Sequence, residues 1–73
     1  MPNAELLGAV TETLRRNGGK MMEAQLHKAL QSKGRDLSLF DLRRALLVLE
    51  LNGVVRVQSL DEERKLVTLV GVK

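Results

Sequence analysis

The sequence holds no cysteine, tryptophan or tyrosine, and only one phenylalanine, Phe40, with one proline and one histidine. Without cysteine there is neither a disulfide nor a thiolate metal site, which is typical of proteins that stay in a reducing compartment. The core must therefore be built from Leu, Val, Ala and Met. A chain of 73 residues is one small domain with a marginal core, so oligomerisation is one source of additional buried area.

Long apolar runs are absent as well. Hydrophobic residues make up 44% of the chain, but no run approaches the roughly 18 residues of a membrane span, and no basic segment leads into an apolar one at the N-terminus. We expect a cytoplasmic protein that does not enter a membrane. The 12 Lys and Arg residues against 9 Asp and Glu residues give a net charge of +3, an excess that permits a polyanionic partner without requiring one.

Two helices are predicted in the first half of the chain from the spacing of apolar residues. The first covers about residues 4–16, with Asn3 as N-cap, and Asn17, Gly18 and Gly19 end it. The second covers about residues 22–33 and ends before a glycine that suits the left-handed backbone after a helix. Between the two helices there is room for a short extended bridge at most.

A third helix is predicted over about residues 38–52. Ser38 suits the N-cap position, and Asp41, three residues later, completes a capping box and lies at the positive end of the helix dipole. Asn52 and Gly53 end the helix before a β-branched run. Two helices joined by a tight turn, the second of them well capped, indicate a helix-turn-helix.

The third helix carries two apolar stripes on nearly opposite faces, at about 100° per residue. The first stripe consists of Leu42, Ala45, Leu46 and Leu49, and the second of Phe40, Leu47, Val48 and Leu51. Since a surface helix needs only one stripe, the second has three interpretations. It is part of the core, or a surface for a homodimer or protein partner, or an apolar reader of thymine methyl groups.

Two β-rich runs, about residues 54–58 and 65–70, follow the third helix and are predicted to pair as an antiparallel hairpin. Strand alternation then points one set of side chains inward and the next outward. The inward set is Val55, Val57, Val67 and Leu69, and the outward set is Arg56, Gln58, Leu66 and Thr68. The tail from residue 71 to 73 is expected to be frayed.

The passage from Leu42 to Val55, LRRALLVLELNGVV, resembles the end of helix 3 and the start of the wing in winged helix-turn-helix domains. In that family an apolar residue, two variable residues, Leu, Glu, two polar residues and Gly lead into an apolar pair. The resemblance extends over residues 4–70. It implies a single α+β domain over residues 1–73, with three helices followed by a two-stranded antiparallel β-hairpin wing, in the order α-(β)-α-α-β-β. It also implies a small stand-alone DNA-binding protein with helix 3 in the major groove.

Two features depart from the family pattern. Leu47, Val48 and Leu51 are apolar at positions that are commonly polar in the family, because those positions face solvent or DNA. The tip of the wing carries Asp61 and Glu62, followed by a further glutamate, and carboxylates there would repel phosphate.

The basic side chains and the cap supply the candidate DNA contacts. Arg43 and Arg44 lie on the outward side of helix 3, where they read bases or hold phosphate, unless they are a solvated face in which Glu50 pairs locally. The others surround helix 2, the turn and the stem of the wing. The complete set is Ser38, Arg43, Arg44, Arg35, Lys20, Lys28, Lys33 and Arg56.

These patterns lead to two hypotheses that compete for one helix face. The first is a DNA-binding transcriptional regulator or architectural factor that acts as a dimer on double-stranded DNA. The second is a protein-interaction or dimerisation module that uses Phe40, Leu47, Val48 and Leu51. We expect no enzyme activity, cofactor or metal, since His27 stands alone as a half-exposed surface residue and no catalytic set can be assembled.

Overall fold

The computed structural model describes residues 4–71, and over these residues the chain is an α+β domain of three helices and a three-stranded antiparallel sheet. The elements are α1 (Ala4–Arg16), β1 (Lys20–Met22), α2 (Glu23–Ser32), α3 (Leu39–Leu51), β2 (Val55–Ser59) and β3 (Lys65–Leu69). The predicted cap at Asn3 and the end of the predicted frayed tail, Val72 and Lys73, lie outside the described residues. Within residues 4–71, no helix combines the length and apolar character needed to cross a membrane.

The sheet has the order β1-β3-β2, so the last strand of the chain lies in the middle. The sequence predicts a two-stranded hairpin with a short bridge before α2 at most, whereas the structure adds that bridge to the sheet as a third strand. Met21 pairs with Val67 and is buried, and the Leu69 amide donates to the Gly19 carbonyl at 2.7 Å. Burial of Met21 and these backbone hydrogen bonds stabilise a strand too short to be recognised from sequence alternation.

The hairpin alternates as predicted. Val55 and Val67 are buried, and Val57 and Leu69 pack against the core from the same face. Arg56 lies on the opposite, exposed face. The outward alternation therefore leaves one face of the sheet in contact with solvent.

The core lies between the three helices and the inner face of the sheet. Its members are almost entirely Leu and Val, as the lack of aromatic residues requires. The buried hydrophobic side chains of the helices are Val10, Leu14, Leu26, Leu30, Leu42, Ala45, Leu46 and Leu49. The first stripe of α3 is therefore the one that packs inward.

Local hydrogen bonds mark both ends of α3. The Ser38 hydroxyl accepts from the Asp41 amide at 3.0 Å, and the Asp41 carboxylate accepts from the Ser38 amide at 3.2 Å, which is the predicted capping box. At the other end Gly53 has a φ of 73°, a left-handed conformation that glycine adopts without strain. These local contacts determine where α3 begins and ends without any contribution from tertiary packing.

The connection from α2 to α3 is held by Leu37 and His27. Leu37 is buried, and its carbonyl accepts a hydrogen bond from Nε2 of His27 at 2.9 Å. Because a carbonyl oxygen can only accept, Nε2 carries the proton in this contact. His27 is half-buried. It also fixes the turn that orients α3, a role that the sequence does not indicate.

Candidate functional site

The outer face of α3 exposes large apolar side chains. Phe40 is 67% exposed, Leu47 55% and Leu51 78%, while Val48 beside them is half-buried. The interpretation that Phe40, Leu47 and Leu51 belong to the core is wrong for this chain. α3 packs against α1 and β2 with the opposite face, and Phe40, Leu47 and Leu51 stay more than half exposed.

Arg44 lies within this apolar stripe. Its guanidinium carbon is 5.8 Å from the centroid of the Phe40 ring, within the range of a cation–π contact. Phe40, Arg44, Leu47 and Leu51 are spaced four, three and four residues apart, so they form one line along the helix. We call these four residues the outer seam.

Arg43 is held by an ion pair beside the outer seam. Its Nε and Nη2 each donate to a different carboxylate oxygen of Glu23, both at 3.1 Å. The Glu23 side chain is 5% exposed and that of Arg43 46%. The hydrogen bond with Glu23, followed by the carboxylate charge, raises the pKa of Arg43 above its usual value. The sequence suggested a groove contact or a local pair with Glu50 for Arg43, and the structure pairs it with the first residue of α2.

A shallow hollow of about 240 Å³ lies along the same edge of the seam. It lies between α3, the start of α2 and the hairpin, and both charged and apolar groups line it. The lining residues are Glu23, Arg43, Leu46, Leu47, Glu50, Val57 and Lys65. Glu50 is exposed and forms no ion pair with any described residue. Its carboxylate is therefore available to a cation from outside.

Lys20 and Arg56 come together on the exposed face of the sheet. Each is directly opposite Thr68, Lys20 from β1 and Arg56 from β2, so the three residues form one row across the strands. The row borders a hollow of about 360 Å³ that Gln58 and Val70 also line. Within residues 4–71 neither cation forms an ion pair. This row is the clearest place for a phosphate among the predicted DNA contacts.

Lys33 and Arg35 lie elsewhere, in a groove against α1 that carries both signs of charge. Arg35 pairs with Glu5 at 3.4 Å, and Lys33 donates to the buried Thr13 hydroxyl at 3.4 Å. Glu12, which also lines the groove, pairs with the arginines at the end of α1. Acidic neighbours reduce the positive potential there.

The remaining predicted contacts do not join a common site. Lys28 is exposed on α2, and the Ser38 hydroxyl already accepts in the capping box. The predicted set is thus spread over α3, the exposed sheet face, the groove beside α1 and the outside of α2.

The turn between β2 and β3 is held by Asp61. Its Oδ1 accepts from the amides of Glu63 and Arg64 at 2.9 and 2.8 Å, and Oδ2 accepts from Nε of Arg64 at 2.7 Å. The Arg64 hydrogen bond, then these amides, lower the pKa of Asp61 below its usual range. Asp61 therefore organises this turn, while Glu62 and Glu63 are exposed at its tip.

Glu23 is the residue of the site that sequence reasoning missed. A glutamate at the start of a helix has a sufficient local explanation in the helix dipole, so nothing in the pattern pointed to Arg43, 20 residues away in the chain. Within residues 4–71 no group of three or more His, Asp or Glu side chains is placed to hold a metal ion.

No family of known proteins matches the chain, and neither does any curated protein or any solved structure.

Proposed function

We propose that the chain is a winged helix-turn-helix domain that works as a protein-interaction module through the outer seam of α3. Two observations support the fold assignment. The element order α-β-α-α-β-β is the one that the sequence resemblance implies, and the matched passage falls where α3 ends and β2 begins. Because a fold of this kind serves several purposes, the surface of α3 and not the fold indicates the function.

The observation that carries the proposal is the exposure of Phe40, Leu47 and Leu51 along one line of a capped helix. Contiguous apolar side chains on a small domain mark interaction surfaces, because water contact with them is unfavourable. Residues spaced in this way are the anchors by which a helix binds an apolar groove or another helix. Phe40 supplies a large, rigid anchor of the kind enriched at interfaces.

The same face is poorly suited to a DNA groove. Arg44 lies over Phe40, Arg43 is bound to Glu23, and the Ser38 hydroxyl is occupied by the cap. Base edges are read by unengaged donors and acceptors, whereas leucine offers only an apolar contact to a thymine methyl group. The acidic tip of the hairpin adds repulsion toward phosphate.

DNA binding is the second candidate, and the row of Lys20, Thr68 and Arg56 favours it. Two cations flank a hydroxyl on an exposed sheet face, so the row can hold one or two backbone phosphates. This contact leaves the outer seam free, so a transcriptional regulator or architectural factor could use both surfaces. Such a protein would bind DNA with its sheet rather than with α3.

The interaction proposal is tested by quantitative cross-linking of the tagged chain in an extract of its source cells. Three forms are compared: wild type, the double variant Leu47→Glu with Leu51→Glu, and Leu60→Glu. Leu60 is 52% exposed in the turn between β2 and β3, close to the 55% of Leu47, so it controls for loss of an exposed leucine.

A partner retained by wild type and Leu60→Glu, lost with the double variant, and then reconstituted from purified components supports the proposal. Identical cross-linked proteins with all three forms overturn it. High-affinity duplex binding that requires Leu47 and Leu51 would also overturn it, because the seam would then be a DNA contact.

A further inference from the structure

The outer seam has the spacing of a helix that packs along its length against another helix. Successive residues of the outer seam are alternately four and three positions apart. This is the spacing of the inward-facing positions in a two-helix coiled coil. α3 has 13 residues and is therefore about 20 Å long. The seam extends over nearly all of it, so a partner helix would be contacted from end to end.

We propose that the seam binds a second copy of this chain, with the two α3 helices antiparallel about a twofold axis. This inference rests on the proposed function and names its partner. In that arrangement Phe40 of one copy meets Leu51 of the other, and Arg44 meets Leu47. The aliphatic part of Arg44 then covers Leu47 while its guanidinium remains at the rim in water.

Charges at the edge of the seam select the antiparallel direction. Arg43 and Glu50 flank the seam on the same side and line the same hollow. When two copies run in opposite directions, these edges face each other, and Arg43 of each copy lies near Glu50 of the other. A parallel pair instead sets this edge against the edge with Asp41 and Val48, which leaves Glu50 without a cation. A closed twofold contact forms each favourable pair twice.

Arg43 can bind a second carboxylate without releasing Glu23. Its guanidinium has five N–H donors, of which the Nε group and one Nη2 hydrogen are engaged by Glu23. The side chain remains 46% exposed, which leaves its other donors room for a second acceptor. The Glu23 contact holds the guanidinium in place, so little further ordering is needed when Glu50 of a second copy approaches.

The size of the surface predicts a weak dimer. A standard stable interface buries about 800 Å² per partner, and that area is roughly one sixth of the 4981 Å² surface of the described chain. A single 13-residue helix offers one line of four side chains to such a contact, so we expect a dissociation constant on the order of micromolar.

Sedimentation velocity over a concentration series from about 1 to 500 μM, a range around that constant, tests self-association of the purified chain. Wild type and Leu60→Glu should pass from monomer to dimer, whereas Leu47→Glu with Leu51→Glu should remain monomeric. A wild type that is monomeric at the highest concentration overturns the inference. The proposed function then survives or fails separately, on whether a different partner is lost from the double variant in the cross-linking experiment.

Cysteine cross-linking determines the direction of the pair, since the chain has no cysteine of its own. Phe40→Cys and Leu51→Cys chains, differing by a mass tag, are mixed and oxidised in air. The antiparallel pair predicts mainly the mixed disulfide between position 40 and position 51. Disulfides between two Phe40→Cys chains and between two Leu51→Cys chains, with little mixed product, would instead indicate a parallel pair and overturn the arrangement.

Charge reversal tests the edge contact. Glu50→Lys places a cation against Arg43 of the second copy and should weaken the dimer at least about tenfold, since two like-charge contacts form. Glu62→Lys makes the same change in net charge at the exposed tip of the hairpin and should leave dimerisation unchanged. Equal weakening by the two variants would show a general charge effect and overturn the proposed edge contact.

Discussion

Arg43 and Glu23 join α3 to the start of α2 through two hydrogen bonds of 3.1 Å each. The carboxylate is almost fully buried and the guanidinium is half-exposed, so the pair seals one edge of the core while presenting positive charge outside. A buried carboxylate needs such a partner, because removing it from water is costly. Arg43 thus stabilises the fold by pairing with Glu23, whether or not it also contributes to an interface.

The first prediction concerns this ion pair. Arg43→Met should lower the midpoint of thermal unfolding more than Arg44→Met does, because it leaves the Glu23 carboxylate buried without a partner. Thermal unfolding followed by circular dichroism measures both. The double variant Glu23→Gln with Arg43→Met should recover part of the loss, since the unpaired charge is gone. Equal midpoints for the two single variants would show that Glu23 does not depend on Arg43.

A second prediction concerns the start of α3. Ser38→Ala removes the acceptor for the Asp41 amide and should lower the free energy of unfolding by about 1 kcal/mol. Urea unfolding measures the change. Ser59→Ala, at the exposed end of β2, is the control and should have little effect. The capping assignment fails if the two variants are equally stable.

Substitutions on the two faces of α3 should differ strongly in how much stability they cost. Leu47→Glu or Leu51→Glu should change the free energy of unfolding of the monomer by no more than about 0.5 kcal/mol, because both side chains are exposed. Leu46→Ala, on the buried face, should cost about 2–5 kcal/mol. Urea titrations at a concentration low enough to keep the chain monomeric make the comparison. A strongly destabilising Leu47→Glu would place Leu47 inside the core.

The hairpin turn should show an acid-sensitive contribution from Asp61. Its pKa is lowered from the usual 3.8, so its stabilising contacts are fully present above that value and are lost as the pH falls through the lowered pKa. Asp61→Asn should therefore be destabilising at neutral pH, and the difference from wild type should vanish in strong acid. The carboxyl resonance of Asp61, followed by NMR against pH, gives the midpoint directly. A midpoint at or above 3.8 would contradict the contacts with Arg64 and the amides.

The sheet face makes a prediction for DNA. If the second candidate function holds, Lys20→Glu with Arg56→Glu should abolish duplex binding, and Lys28→Glu, on the outside of α2, should have a smaller effect. Fluorescence anisotropy at several salt concentrations measures both affinity and the number of phosphates contacted, at a slope of about −0.9 per phosphate. Binding that the double variant leaves intact would exclude the row of Lys20, Thr68 and Arg56 as the contact.

Local patterns anticipated much of the fold. The capping box at Ser38 and Asp41, the stop at Gly53 and the inward alternation of Val55 and Val67 all appear in the structure, because each depends on neighbours in one element or one hairpin. A short extended bridge between α1 and α2 was expected, but its pairing with β3 as a third strand of the sheet was not. A strand of three residues shows too little alternation to be recognised, and its pairing with β3 joins residues more than 40 positions apart in the chain.

The sequence indicated which residues could form the candidate site, but not which of them are exposed or paired. The second stripe of α3 was visible in the sequence, but whether it was covered depended on where α1 and the hairpin pack. The cations were also visible, yet most are separated or engaged in the structure. Arg43 binds Glu23 and Arg35 pairs with Glu5, while Lys20 and Arg56, which form no ion pair within residues 4–71, share one face of the sheet.

The sequence by itself determined where α3 begins and ends, which of its residues are apolar, and which strand residues alternate. Capping, glycine conformation and side-chain periodicity each depend on residues that are close together in the sequence, so they can be predicted from it. The tertiary structure alone decided that Phe40, Leu47 and Leu51 remain in water and that Arg43 pairs with Glu23. Those outcomes depend on how the elements pack, because α1 and β2 both contact the face of α3 that carries the first stripe, and Phe40, Leu47 and Leu51 on the opposite face stay more than half exposed.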